Sequence, residues 1–152
     1  MSAPIVSFRW DGEEWAFDAA DVIEMIGART VTRVPGTAPR ILGIVTWRGR
    51  TLPVLLPRAL KEPPVSTDLK KRLLVLRRPG AFAVPVDEPG RVIDASAAES
   101  IEWASIEAGA RPSGLRLLRL EERLVRVLDP KVLVESASAE TAHETVAPGG
   151  DR

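Results

Sequence analysis

The sequence predicts an all-β protein assembled from two small barrels, and three observations carry that expectation. Apolar residues come in short runs rich in Val, Ile and Leu, broken by turn residues at short intervals. Four pairs of such runs read as hairpins, which is enough strand for a closed β architecture. One stretch of the first half recurs in the second at a constant offset, so two copies of a small β unit are expected rather than one sandwich.

Taken in order, Ile5 to Trp10 and Glu14 to Asp18 flank Asp11-Gly12, where glycine accepts the positive φ of a tight hairpin. Asp18-Ala19-Ala20-Asp21 reads as a single helical turn leading into a strand from Val22 to Ala28. Ile41 to Trp47 and Thr51 to Leu56 flank Arg48-Gly49-Arg50, a three-residue connection with Gly49 in the left-handed position. Arg72 to Arg77 and Ala81 to Val86 flank Arg78-Pro79-Gly80. Ala97 to Ala108 reads as a short helix. Leu115 to Leu120 and Arg123 to Leu128 flank Glu121-Glu122, a poor dipeptide for a tight turn, so a longer loop is expected there.

The repeat lays residues 50–60, RTLPVLLPRAL, over residues 123–133, RLVRVLDPKVL. Arg50/Arg123, Val54/Val127, Leu55/Leu128, Pro57/Pro130 and Leu60/Leu133 are identical. The turns at Asp11-Gly12 and Pro79-Gly80 recur at nearly the same offset. The proline- and charge-rich segment from Lys61 to Lys71 is the expected junction between the copies. One domain is therefore expected over residues 5–134. From Glu135 to Arg152 too little apolar surface remains to offset the entropy of ordering, so a disordered C-terminal tail is expected.

Composition narrows the function. Hydrophobic residues make up 45% and charged residues 28%, an ordinary globular balance. Lys plus Arg equals Asp plus Glu at 21 each, so no net field exists to hold nucleic acid. There is no cysteine, hence no disulfide and no thiolate ligand or nucleophile. No signal-peptide pattern and no bilayer-length apolar stretch occurs, so a cytoplasmic protein without membrane insertion is expected.

Catalytic chemistry finds few candidates. His143 is the sole histidine and lies in the expected tail, which leaves neither a Ser-His-Asp arrangement nor a histidine-based metal site. No phosphate-cradling glycine motif occurs, so no cofactor is expected. The carboxylate pairs Glu13-Glu14 and Glu121-Glu122 fall at hairpin tips, where a solvated turn is the simpler reading. Trp10 and Trp15 face each other across the first hairpin as a structural pair. Trp47 adjoins a turn with two arginines and admits two roles, barrel core or interaction anchor.

Read together, Trp15-Ala-Phe-Asp18, Val22-Ile-Glu24, Val34-Pro35 and the run from Ile41 to Val54 resemble the CheW family of chemotaxis coupling proteins. The pattern is a hairpin, a V-x-E strand, a V-P approach and G-x-x-x-x-R-G-x-x-x-P-V. It continues in outline through residues 81–87, AFAVPVD, and the final strand Leu124 to Asp129. The resemblance implies two intertwined five-stranded SH3-like barrels without an active site. It further implies a bridge between a CheA-type histidine kinase regulatory domain and the cytoplasmic tip of a chemoreceptor, in company with other CheW-like domains. By position, Val22, Glu24 and Gly43 match places of partner contact, and Arg48 matches the arginine that marks the family. The same comparison pairs Glu24 with Arg48 across the hairpin. Val34, Pro35, Trp47, Gly49, Leu56 and Asp87 complete the expected protein-binding set.

Two departures are visible. Where the family continues P-V-I-D-L, this chain has Pro53-Val-Leu-Leu-Pro57, and the glycine-rich segment before the last hairpin is Ser113-Gly-Leu-Arg116. They motivate an alternative: an accessory protein that binds receptors or other CheW-like domains without the kinase. Two other classes make distinct demands. A small-barrel enzyme would use carboxylates such as Glu24 and Asp87, and a nucleic-acid-binding barrel would show salt-dependent retention.

Overall fold

The computed structural model describes residues 4–34, 40–58, 69–77, 80–101 and 115–137. The strands are β1 (Pro4–Trp10), β2 (Glu13–Asp18), β3 (Val22–Val31), β4 (Ile41–Trp47), β5 (Arg50–Leu55), β6 (Leu69–Leu76), β7 (Phe82–Val86), β8 (Glu88–Asp94), β9 (Glu99–Ser100), β10 (Leu115–Leu120) and β11 (Arg123–Leu128). They form two sheets, ordered β8-β1-β2-β11-β10-β9 and β3-β6-β7-β5-β4.

Both sheets close on themselves. The 3-10 turn Ala95–Ala97 bends the chain between β8 and β9. The two ends of this bent segment pair with β1 and with β10, the opposite edges of the sheet. Counted as one strand, β8 and β9 make the first barrel five-stranded. The second sheet closes through the bridge Thr32↔Ile44, whose two backbone hydrogen bonds are both 2.9 Å. The expected pair of five-stranded barrels is thus present.

The barrels also explain the repeat. Each contains an antiparallel hairpin joined in parallel to the last strand of another, β2 to β11 and β7 to β5. In these positions β5 corresponds to β11, β4 to β10, β1-β2 to β6-β7, and β3 to β8. The first copy is therefore β1 to β5 and the second β6 to β11, yet the first barrel takes β1 and β2 from one copy and its remaining strands from the other. The second barrel takes β3 to β5 from the first copy and β6 and β7 from the second. The copies have exchanged hairpins.

This exchange decides which strands are apolar throughout. Leu73, Leu74, Val75 and Leu76 on β6 and all five residues of β7 are buried. Such runs are buried on both faces, one inside the second barrel and one against the first. The first hairpin divides likewise: Ile5 and Ala16 belong to the interior cluster of the first barrel with Val125 and Val127. Phe8, Trp10, Trp15 and Phe17 join the larger cluster with Leu74, Leu76 and Val84. Phe8 and Phe17 stack at 5.9 Å, and Trp10 meets Trp15 edge-on at 6.2 Å. The register sets Phe8 opposite Trp15, so the two tryptophans are diagonal neighbours rather than directly opposed.

Several local expectations are corrected. The turn after β4 contains two residues, because Trp47 pairs with Arg50; Arg48 and Gly49 both take positive φ, at 49° and 75°. The Glu121-Glu122 connection is equally tight, with Leu120 opposite Arg123 and Glu121 at φ 58°. Residues 99 and 100 are strand rather than helix. Strand β8 was unexpected: every residue in it is exposed except the half-buried Ile93.

A helix, α1, covers residues 130–137 and takes in the first three residues of the expected tail. Asp129 caps it by accepting from the Lys131 N–H at 2.9 Å, with Pro130 in the first position, where its missing N–H costs nothing. Leu133 and Ala137 seat the helix in the core. The rest of the tail with His143, most of the junction, Pro35, Pro79, Trp103 and Ser113-Gly114 lie outside the described residues.

Candidate functional site

The expected recognition residues gather where β3 faces the β4-β5 hairpin. A two-residue turn in which both residues have positive φ matches the twist of the flanking strands. Gly49 meets this demand without strain, while Arg48 holds the left-handed region as a side-chain-bearing residue. The turn projects the Arg48 side chain, 65% exposed, beside Glu24 on β3.

Glu24 accepts from both neighbours. Its Oε2 takes the Trp47 indole N–H at 2.6 Å, and its Oε1 takes Arg48 Nη2 at 3.1 Å. The Arg48 guanidinium lies 4.9 Å from the centre of the Trp47 ring. The Glu24–Arg48 pair implied by the family resemblance is therefore formed, and Trp47 is its third member. Of the two roles left open for Trp47 the structure shows the first: its ring is core at 5% exposed, while its N–H is committed to the carboxylate that orients Arg48. The resulting unit presents one positive, planar, partly stacked group on a rigid turn, suited to a partner carboxylate or carbonyl.

The remaining expected residues separate by position. Val22 opens β3 half-buried, and Val34 is half-buried beyond the end of that strand. Gly43 is buried, and a Cβ there would collide with the carbonyl group of Thr32. Its absent side chain is what lets β4 approach β3 closely enough to form the closing bridge. Leu56 is corrected: its side chain is 2% exposed in the core, so it offers a partner no surface. Its backbone is tied on both sides to Arg40, donating to the Arg40 carbonyl at 2.8 Å and accepting from Arg40 Nε at 3.2 Å. Asp87 stands apart, accepting from the Asp11 N–H at 2.8 Å and from Lys71 Nζ at 3.5 Å. Glu24 and Asp87 thus serve different contacts and form no paired-carboxylate site.

A second cluster escaped the sequence reading. Arg58, just past β5, pairs with Asp11 at 2.7 Å and Glu13 at 3.0 Å and lies over the Trp10 ring at 5.4 Å. Burial works against its charge, but Glu13 and Asp11 more than offset this and raise its pKa further above the ordinary value. Beside it, Arg126 pairs with Glu13 at 3.4 Å and covers Trp15 at 5.6 Å, while Arg123 pairs with Glu14 at 3.0 Å. Glu13-Glu14, read as a solvated turn, is in fact the acidic side of this seam. Only the strand pairing reveals it, since Arg58 and Glu13 are distant in sequence.

Among the described residues no three His, Cys, Asp or Glu side chains are placed to hold a metal ion, and no helix is long and apolar enough to cross a membrane.

Comparison with known proteins places this geometry. The chain is 28% identical over 142 residues to the chemotaxis protein CheW of Bacillus subtilis, covering 91% of this chain and 90% of that protein. Its fold matches the crystal structure of the scaffolding protein TtCheW from Thermoanaerobacter tengcongensis with a TM-score of 0.67 at 20% identity, covering 89% of this chain and 94% of the other. The CheW-like domain model matches residues 4–138, which takes in both barrels and α1. The chain belongs to the CheW-like domain family.

Proposed function

We propose that this protein is a cytoplasmic, non-catalytic adaptor that couples the cytoplasmic tip of a chemoreceptor to the regulatory domain of a CheA-type histidine kinase within a receptor array. The observation that carries this reading is the Arg48 turn, exposed at its guanidinium but locked from behind by Glu24 and Trp47. A solvated arginine gains little from such bracing. A recognition group gains directly, because rotamer freedom lost in advance is not lost on binding. Val22 and Val34, half-buried on and just beyond β3, and Asp87, braced at the first hairpin, belong to the proposed contact set together with Gly49, which shapes the turn. Pairing with other CheW-like domains, the kinase regulatory domain included, is the second face of the proposal.

The alternative accessory role drew on the Leu56 departure. With Leu56 in the core, that substitution changes the packing rather than the surface. The test is size-exclusion co-elution of the purified chain with a cognate kinase regulatory domain and with a receptor cytoplasmic fragment. Complexes with both are expected, each weakened at least tenfold by Arg48→Ala. Absence of both complexes defeats the proposal, and a complex with receptor alone replaces it with the accessory role.

A further inference from the structure

Among the described residues one bridge closes the second barrel, and the cleft beside that bridge has no role in the adaptor reading. Antiparallel alternation aims the main-chain groups of Thr30 and Thr46 at each other, one rung along from Thr32↔Ile44. That rung is not made: Thr32↔Ile44 is the bridge recorded between β3 and β4, and the Thr46 carbonyl instead accepts from Arg29 Nη1 at 3.0 Å. The gap is a cleft of about 200 Å³ lined by Arg29, Thr30, Thr32, Ile44, Val45 and Thr46.

Donors outnumber fixed acceptors in it. Three threonine hydroxyls, one guanidinium and the main-chain N–H groups of the open rung can donate, the Thr30 carbonyl of that rung accepts, and none of the lining residues is acidic. Arg29 spends one N–H on Thr46 and, among the described residues, has no carboxylate within ion-pair distance. Its direct cross-strand neighbour is Lys71, a like charge that destabilises the pair unless an anion intervenes. Lys71 has Asp87 at 3.5 Å, but among the described residues Arg29 has no such partner. Arg29, Thr30, Thr32 and Thr46 are all exposed, so the cleft is open to solvent. At about 30 Å³ per water, it has room for a small oxyanion with waters to spare.

We infer that this cleft binds an oxyanion, a phosphoryl or carboxylate group, with Arg29 as its charged ligand and Thr30, Thr32 and Thr46 as hydrogen-bond donors. The inference does not rest on the identity of any partner protein. It is tested by titrating the 15N-labelled chain with inorganic phosphate and, in parallel, with acetate, ionic strength being held constant with sodium chloride. Saturable shifts of the Thr30, Thr32 and Thr46 amides are expected, with affinity at least tenfold weaker in Arg29→Gln and again in Thr30→Val. A response to phosphate alone assigns a phosphoryl ligand, a response to acetate alone a carboxylate, and a response to both a general oxyanion site. Shifts that fail to saturate, or that are unchanged in both variants, overturn the site.

Discussion

Replacing Gly43 with alanine separates closure of the barrel from contact with a partner. A Cβ at this position would collide with the Thr32 carbonyl and come within 3.0 Å of Val31 Cγ1. The obstacle is mostly backbone, so no side-chain rotation relieves it. If β4 retreats, the two hydrogen bonds of the Thr32↔Ile44 bridge are lost at about 1 kcal/mol each. If β4 stays, overpacking costs about 1–3 kcal/mol. Either route destabilises Gly43→Ala by about 2 kcal/mol, a fall in melting temperature of roughly 4–8 °C for a domain of this size. Circular dichroism melts give the first quantity, and hydrogen exchange at the Thr32 and Ile44 amides identifies the route. A surface-contact role for Gly43 makes the opposite prediction, with binding lost while the melt and the exchange stay unchanged. That result would refute the closure argument.

Three further outcomes follow from the same geometry. Gly49→Ala, which places a Cβ at φ 75°, is expected to lower stability by about 1 kcal/mol in urea denaturation. Arg58→Ala removes two ion pairs and a ring contact at the seam, a loss of about 1 kcal/mol that shrinks as sodium chloride is raised from low to high concentration. Expressed separately, residues 1–62 and 63–152 are each expected to lack cooperative melting, and mixing them restores a single transition, because each barrel draws strands from both copies.

The hairpins were legible because their turn chemistry and apolar runs agree; β4, β10 and β11 have the very bounds that the sequence pattern suggests. Strand β8 was not, because Glu88-Pro89-Gly90 reads as a turn and the strand has almost no buried face. Its pairing is dictated from a distance by the bulge in β1, where Ser7 Oγ accepts from the Arg91 N–H at 3.2 Å and Gly90 leaves room for the Ser7 backbone. The tightness of the Arg48 and Glu121 turns was hidden for a related reason. Residues other than glycine enter the left-handed region only when the flanking strands require it. In the site, the family resemblance implied the Glu24–Arg48 pair but not the indole that shares the same carboxylate. Leu56 was misread because an acid replaced by leucine looks like a change of surface until its burial is known.

The exchange of hairpins bears on the proposed adaptor role. Two barrels joined by a flexible tether would let each partner be held independently. Here Phe8, Trp10, Trp15 and Phe17 of the first barrel share a core with the second. At about 1.5–3 kcal/mol for each side chain exposed, parting the barrels at these four residues costs about 6–12 kcal/mol. At about 1.4 kcal/mol per factor of ten, fewer than roughly one molecule in ten thousand is open at any moment. The Arg48 turn and the outer strands of the first barrel therefore keep one fixed relation, and under the proposed function partners on the two faces would be held at one fixed geometry. That property demands no moving part from the adaptor. Its rigidity resides in the β1-β2 and β6-β7 hairpins, each buried on both faces because it has crossed into the other copy's barrel.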